Sequence, residues 1–147
     1  MKYHFLTVLF ILIFSNAFSQ EAEKVTLKDT NNFYYRIVPE KKPEGMLIVL
    51  PGGGETAERV MNQMYLDELA YDKNILVIFT NWEENGDFFY QADQKLLDRI
   101  AKDNVEKFNI PKNKISIGGL SGGGMFAITY AERSVRDKNT YFVPNSI

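Results

Sequence analysis

No cysteine occurs in the 147 residues, there is a single histidine, His4, and tryptophan appears once, as Trp82. The missing thiols exclude a disulfide framework and a lipid-modified cysteine. The missing imidazoles, with acidic residues scattered among lysines, leave nothing to assemble a zinc-type site, so neither a metal nor another cofactor is expected. Charge of one sign is also lacking: the formal net charge is −2, and it becomes −3 once Lys2 is set aside with the leader described next. Such a balance points to no nucleic-acid or membrane-surface partner. No repeat, low-complexity tract or Pro/Gly/Ser linker divides the chain.

What is present begins with an export signal. Lys2 supplies a basic start, Phe5 to Phe14 is an almost unbroken apolar run, and Ala17 and Ser19 place small residues at the −3 and −1 positions of a cleavage site. The run is shorter than the roughly 20 apolar residues that span a bilayer. Residues 1–19 therefore read as a cleaved signal peptide, the protein as exported to the periplasm or the extracellular space, and residues 20–147 as one domain without stable membrane insertion.

From Val25 onward, β-prone runs alternate with helical patterns, which predicts an α/β fold with a mostly parallel sheet and helices on both faces. Phe33 to Val38 is aromatic and β-branched, and Pro39 ends it. Met46 to Leu50, Ile75 to Phe79 and Ile115 to Gly118 carry the continuous apolar character of strands buried on both faces, and are expected side by side in the centre of the sheet. One helix is expected between Thr56 and Tyr71, with Glu55 and Glu58 at the positive end of its dipole. A second is expected from Asp93, as its cap, to the region before Pro111, and a third from Met125 to Arg133. Tyr141 to Val143 reads as a last β-prone stretch.

The chemistry lies in two glycine-rich turns. Gly119-Leu120-Ser121-Gly122-Gly123 has the G-x-S-x-G spacing and sits between a strand and a helix. A serine on so sharp a turn needs small residues two before and two after it, so that strand and helix can approach. Ser121 is then the nucleophile, and the Gly122 N–H, at a helix start, faces a developing oxyanion. Pro51-Gly52-Gly53-Gly54 follows an earlier buried strand, where bare amides supply a second donor; Gly53 is favoured over Gly52. Trp82, just after a strand's carboxyl end, is a candidate for lining the substrate pocket, whereas Phe88, Phe89 and Tyr90 read as core.

The stretches Leu47 to Gly54 and Asn109-Ile110-Pro111 to Met125 resemble the α/β-hydrolase superfamily, in particular its secreted esterase and polyester-depolymerase-like branches. Pro51 stands where that family often has a histidine before its glycines. The resemblance implies a serine hydrolase of small-molecule or polymeric esters, with the acid and histidine of the triad after later strands than those present, so that the C-terminal strands of the fold are expected to be lacking. His4 falls in the signal, Gly124 occupies the lysine position of S-x-x-K, and Asp137 reads as solvated surface. Ser121 accordingly has no base in residues 20–147, and the chain reads as a nearly inactive N-terminal part of such an enzyme. The alternative is a non-catalytic α/β binding protein, or a degenerate hydrolase, that keeps the elbow only for packing. Gly122-Gly123-Gly124-Met125-Phe126-Ala127 also fits a dinucleotide-binding pattern, but at least three strands precede it and no acid ends the next β-prone stretch. A P-loop would need Gly-Lys-Ser/Thr, which does not occur.

Overall fold

The structure, a computed structural model, describes residues 22–28, 31–81, 91–136 and 141–146. The expected signal, Trp82, the aromatic run Phe88 to Tyr90 and Asp137 lie outside these residues.

Among the described residues six strands form one sheet: β1 (Glu23–Thr26), β2 (Phe33–Ile37), β3 (Gly45–Leu50), β4 (Ile75–Thr80), β5 (Ile115–Gly119) and β6 (Asn145–Ser146). Their order is β1-β2-β4-β3-β5-β6. The centre, β4-β3-β5, and the β5-β6 pair are parallel, while β1 and β2 join antiparallel at the other side. The three apolar runs of the sequence are therefore adjacent, with β3 between the other two.

Side-chain alternation along these strands builds two cores. Met46, Ile48, Leu50, Leu76, Ile78, Ile115 and Ile117 point to one face. There they meet helix α3 (Gln91–Phe108) through Leu97, Ile100 and Ala101, and helix α4 (Gly122–Arg136) through Phe126, Ala127 and Tyr130. Leu47, Val49, Val77 and Phe79 point to the other face, under helices α1 (Ala57–Met64) and α2 (Asp67–Lys73), which contribute Ala57, Val60 and Ala70. Burial of this apolar area, worth about 25 cal/mol per Å², is the main force holding the layers together.

Several boundaries differ from the sequence expectation. The single helix between Thr56 and Tyr71 is two, because Tyr65 takes a left-handed backbone (φ 46) and ends α1 after Met64. The step of five from Met64 to Leu69 marks the break, since a continuous helical stripe advances by three or four. Helix α3 starts at Gln91, so Asp93 already lies within it rather than capping it. It ends at Phe108, where Asn109, with a φ of 53, and the Ile110 N–H bond to the Val105 carbonyl form a left-handed C-terminal cap ahead of Pro111. The strand expected at Tyr141 to Val143 instead leaves Phe142 buried in the core as irregular chain, and pairing with β5 begins only at Asn145.

Across the sheet from the parallel centre, Arg36 on β2 is 3% exposed. It donates two bonds to the Glu23 carboxylate, at 2.7 and 2.8 Å, and a third to Asn104 Oδ1 at 2.9 Å. Asn104 in turn donates to the Tyr34 hydroxyl and the Ile100 carbonyl, so the buried guanidinium and amide are satisfied within one network. The Arg36 guanidinium holds the Glu23 carboxyl below its ordinary value, and burial raises that of the Tyr34 hydroxyl.

Candidate active site

The site forms where the sheet's connections diverge. β3 and β5 are parallel neighbours, and Leu50 pairs with Gly119 at their carboxyl ends, so the chain leaves both strands at the same level. From β3 it turns to α1 on one face; from β5 it turns to α4 on the other. The gap between two such exits, beyond the carboxyl ends of parallel strands, is where open α/β sheets bind ligands.

Ser121 stands in that gap. It is exposed, and its φ of 48 places a non-glycine residue in the left-handed region. Such a conformation costs about 1–3 kcal/mol and persists only when the surroundings impose it. Here the imposing contacts are backbone to backbone. The Leu120 N–H donates to the Leu50 carbonyl at 3.1 Å, the Gly123 N–H to the Leu120 carbonyl at 2.8 Å, and the Met125 N–H to the Ser121 carbonyl at 3.2 Å. Strand and helix are so close that a Cβ on Gly119 would lie 2.7 Å from the Leu50 oxygen and the Gly123 carbonyl carbon. A Cβ on Gly123 would lie 2.4 Å from the Pro51 oxygen. Both positions exclude any side chain, which is the packing reason for the G-x-S-x-G spacing.

Helix α4 begins at Gly122, three residues before the sequence-based start at Met125. Three consecutive glycines disfavour a helix by propensity, but the close approach of Gly123 to β3 outweighs that local cost. The Gly122 N–H thus belongs to the first helical turn, where no carbonyl four residues earlier in the helix is available, and the positive end of the helix dipole is adjacent to Ser121.

The Pro51–Gly54 segment runs beside this turn. A Cβ on Gly52 would lie 3.4 Å from the Leu120 oxygen. Within the segment Gly52 and Gly53 differ. Gly52 is buried and its N–H donates to Glu55 Oε2 at 3.1 Å, while the Glu55 N–H returns a bond of 3.2 Å to the Gly52 carbonyl. Gly53 is exposed, and among the described residues no hydrogen bond engages its N–H. Gly54 follows with a φ of 73.

Two side chains at this end of the sheet escaped sequence reasoning. Glu55 acts on Gly52 rather than on the helix start, which Thr56 caps by accepting from the Arg59 N–H. Asn81, just past β4, accepts the Ala57 N–H at 2.8 Å and so ties that strand's end to the start of α1. An asparagine after a buried strand and an acid three residues after a glycine were the available signals, and both patterns are common enough to pass unnoticed. Among the described residues no group of three or more His, Asp or Glu side chains is arranged to hold a metal ion, and no helix is long and apolar enough to cross a membrane.

No protein-family model and no curated protein matches the sequence. Solved structures do. A hyperthermophilic esterase from the archaeon Pyrobaculum calidifontis matches 96% of this chain with a TM-score of 0.66 at 18% identity, the match covering 47% of that protein. A bacterial heroin esterase matches 96% of the chain and 47% of its own length, with a TM-score of 0.64 at 19% identity. An acetyl xylan esterase from Aspergillus awamori matches 72% of the chain and 44% of its own, with a TM-score of 0.64 at 18% identity. The chain spans about half the length of these proteins or slightly less. Its parallel centre, its helices on both faces and its likeness to these esterases together identify the fold as that of the α/β-hydrolases.

Proposed function

We propose that the chain is the nucleophile-bearing part of an exported serine hydrolase acting on carboxylic esters or related acyl bonds. The observation that carries this reading is the left-handed Ser121, held at the β5–α4 turn by contacts that admit only glycine at positions 119 and 123. In the proposed reaction Ser121 Oγ attacks the acyl carbon, and the carbonyl oxygen gathers negative charge between the N–H groups of Gly122 and Gly53; the adduct then collapses with cleavage of the ester C–O bond, the alcohol leaving with the proton that Ser121 gives up, and water hydrolyses the acyl-serine. Such preorganised donors are worth about 10² to 10³ in rate each. The Ser121 proton must pass to a base, and residues 20–147 contain no imidazole. Loss of triad members in serine hydrolases costs about 10⁴ to 10⁶ in turnover, so the chain alone is expected to be nearly inactive. Trp82 stays a candidate for the acyl or alcohol side of the pocket.

A test uses the chain without its first 19 residues and p-nitrophenyl acetate, with imidazole added as a diffusible base. Near-background hydrolysis alone, with an imidazole-dependent rise that Ser121→Ala abolishes, is the expected result. Robust turnover without imidazole that still requires Ser121 means that a side chain of this protein is the base. An imidazole response identical in Ser121→Ala supports instead the reading that the elbow serves only packing.

A further inference from the structure

We infer that Glu55, assisted by Asn81, is a positioning residue that fixes the Gly53 N–H as an oxyanion donor; this rests on the Ser121 hydrolase reading. A glycine-rich loop has many accessible backbone conformations, and an amide serves an oxyanion only if its direction is set before the reaction. Pro51–Gly54 is three glycines after a proline. Two ties remove that freedom. At its root, the Glu55 carboxylate takes the Gly52 N–H while the Glu55 N–H holds the Gly52 carbonyl, closing residues 52–55 into a ring with Gly53 and Gly54 at its outer rim. At its exit, Asn81 Oδ1 takes the Ala57 N–H and anchors the start of α1 to the end of β4.

The ring also separates the two candidate donors. The Gly52 N–H is already taken by Glu55, and among the described residues Gly53 is the amide left unengaged and exposed. Gly52 is meanwhile held against the Leu120 carbonyl, immediately before the nucleophile, so the ring's orientation is referred to the elbow itself. The Glu55 carboxylate accepts from the Gly52 N–H. It acts through the direction of a neighbouring amide.

The experiment compares p-nitrophenyl acetate with its thionoester analogue, in imidazole, on the intact chain and on Glu55 variants. Sulfur is larger and accepts hydrogen bonds more weakly than oxygen, so the ratio of oxygen-ester to sulfur-ester rates reports the oxyanion donors and not general folding. Glu55→Ala is expected to lower Ser121-dependent acylation about 10²-fold, the cost of a misplaced catalytic group, and to bring the ratio towards that of the uncatalysed reaction. Glu55→Gln keeps an acceptor oxygen at the same reach and rescues both. Glu55→Asp, one methylene shorter, behaves as Ala and serves if the alanine variant does not fold. Gly52 amide exchange should be slow in wild type and Glu55→Gln and fast in the other two. Unchanged rate and ratio in Glu55→Ala and Glu55→Asp, with wild type active, overturn the positioning role alone. Absence of Ser121-dependent acylation in wild type overturns the hydrolase reading and this one with it, whatever the Gly52 exchange shows.

Discussion

The β4 side of the parallel centre and its β6 side are built differently. Along most of β3 and β4 both faces are covered, and the strands there are 0–8% exposed from Met46 to Leu50 and from Leu76 to Thr80. Gaps open at the amino ends of the strands and around β6. On the α2 face a cavity of about 380 Å³ lies at the amino ends of β3, β4 and β5, lined by Gly45, Leu47, Leu69, Ile75 and Ser116, and reaches Asn145 on β6. On the α4 face a shallower one of about 470 Å³ lies between Ile128, Val135, Pro144 and Asn145. Asn145, on the edge strand, lines both. Met125, Ile128, Val135 and Val143 are each more than half exposed on this side. The difference bears on the elbow: the tight contacts of Gly119 and Gly123 with Leu50 and Pro51 lie on the packed side and hold the Ser121 turn in place.

The strongest way to break the comparison is to disturb the packed side at its tightest point. Gly123→Ala drives a methyl into the Pro51 and Leu50 carbonyls, and no flexible side chain can yield. A loss of about 3 kcal/mol, at the upper end for overpacking, is expected in urea unfolding, and loss of the folded state is the same effect carried further. Gly124→Ala, whose Cβ would come no closer than 3.0 Å to the Gly119 oxygen, should cost clearly less. Equal costs would mean that the elbow is looser than its geometry.

At the far edge of the packed side, Arg36→Met strands Asn104 Oδ1 in the core, and about 2 kcal/mol is expected from the unsatisfied group. The pH dependence has a definite sign. Because Arg36 lowers the Glu23 pKa from its ordinary 4.5, that contribution is fully present above pH 4.5 and disappears as pH falls through the lowered value. It is modest, since the Glu23 side chain is 52% exposed. Thermal melts from neutral pH down to pH 3 should therefore converge for wild type and Arg36→Met without meeting, because the Asn104 term does not titrate.

Between the two sides, Ser121→Gly should raise stability by about 0.5–1 kcal/mol by relieving the left-handed strain, while removing the proposed nucleophile. A decrease would show that the serine side chain has packing of its own. The smallest effect belongs to the open side: Ile128→Lys with Val135→Lys should shift unfolding by no more than about 0.5 kcal/mol and reduce self-association in light scattering. A large destabilisation there would mean that those residues are core after all.

The same division explains what the sequence made legible. Met46–Leu50 and Leu76–Phe79 are buried on both faces, so composition alone marked them as central strands. Gly119 and Gly123 were legible because a backbone contact that excludes every side chain leaves only one residue type. The break at Tyr65 was marked only by the step of five from Met64 to Leu69, since a bulky, exposed tyrosine does not itself announce a left-handed conformation. β6 was not legible: Tyr141 to Val143 has the stronger β propensity, yet Phe142 buries itself against Tyr130, ring centroids 5.5 Å apart, and pairing is deferred to Asn145. Glu55 was read as a dipole charge because its partner is a backbone amide, which sequence does not display. Trp82, outside the described residues, stays an expectation.

The most direct measurement locates the covalent intermediate. Residues 20–147 would be treated with p-nitrophenyl acetate in imidazole, quenched in acid, digested and analysed by peptide mass spectrometry. The account predicts acetyl on Ser121 in preference to every other hydroxyl and lysine, and none at that peptide in Ser121→Ala. Acetylation spread over surface lysines with Ser121 unmodified would contradict it.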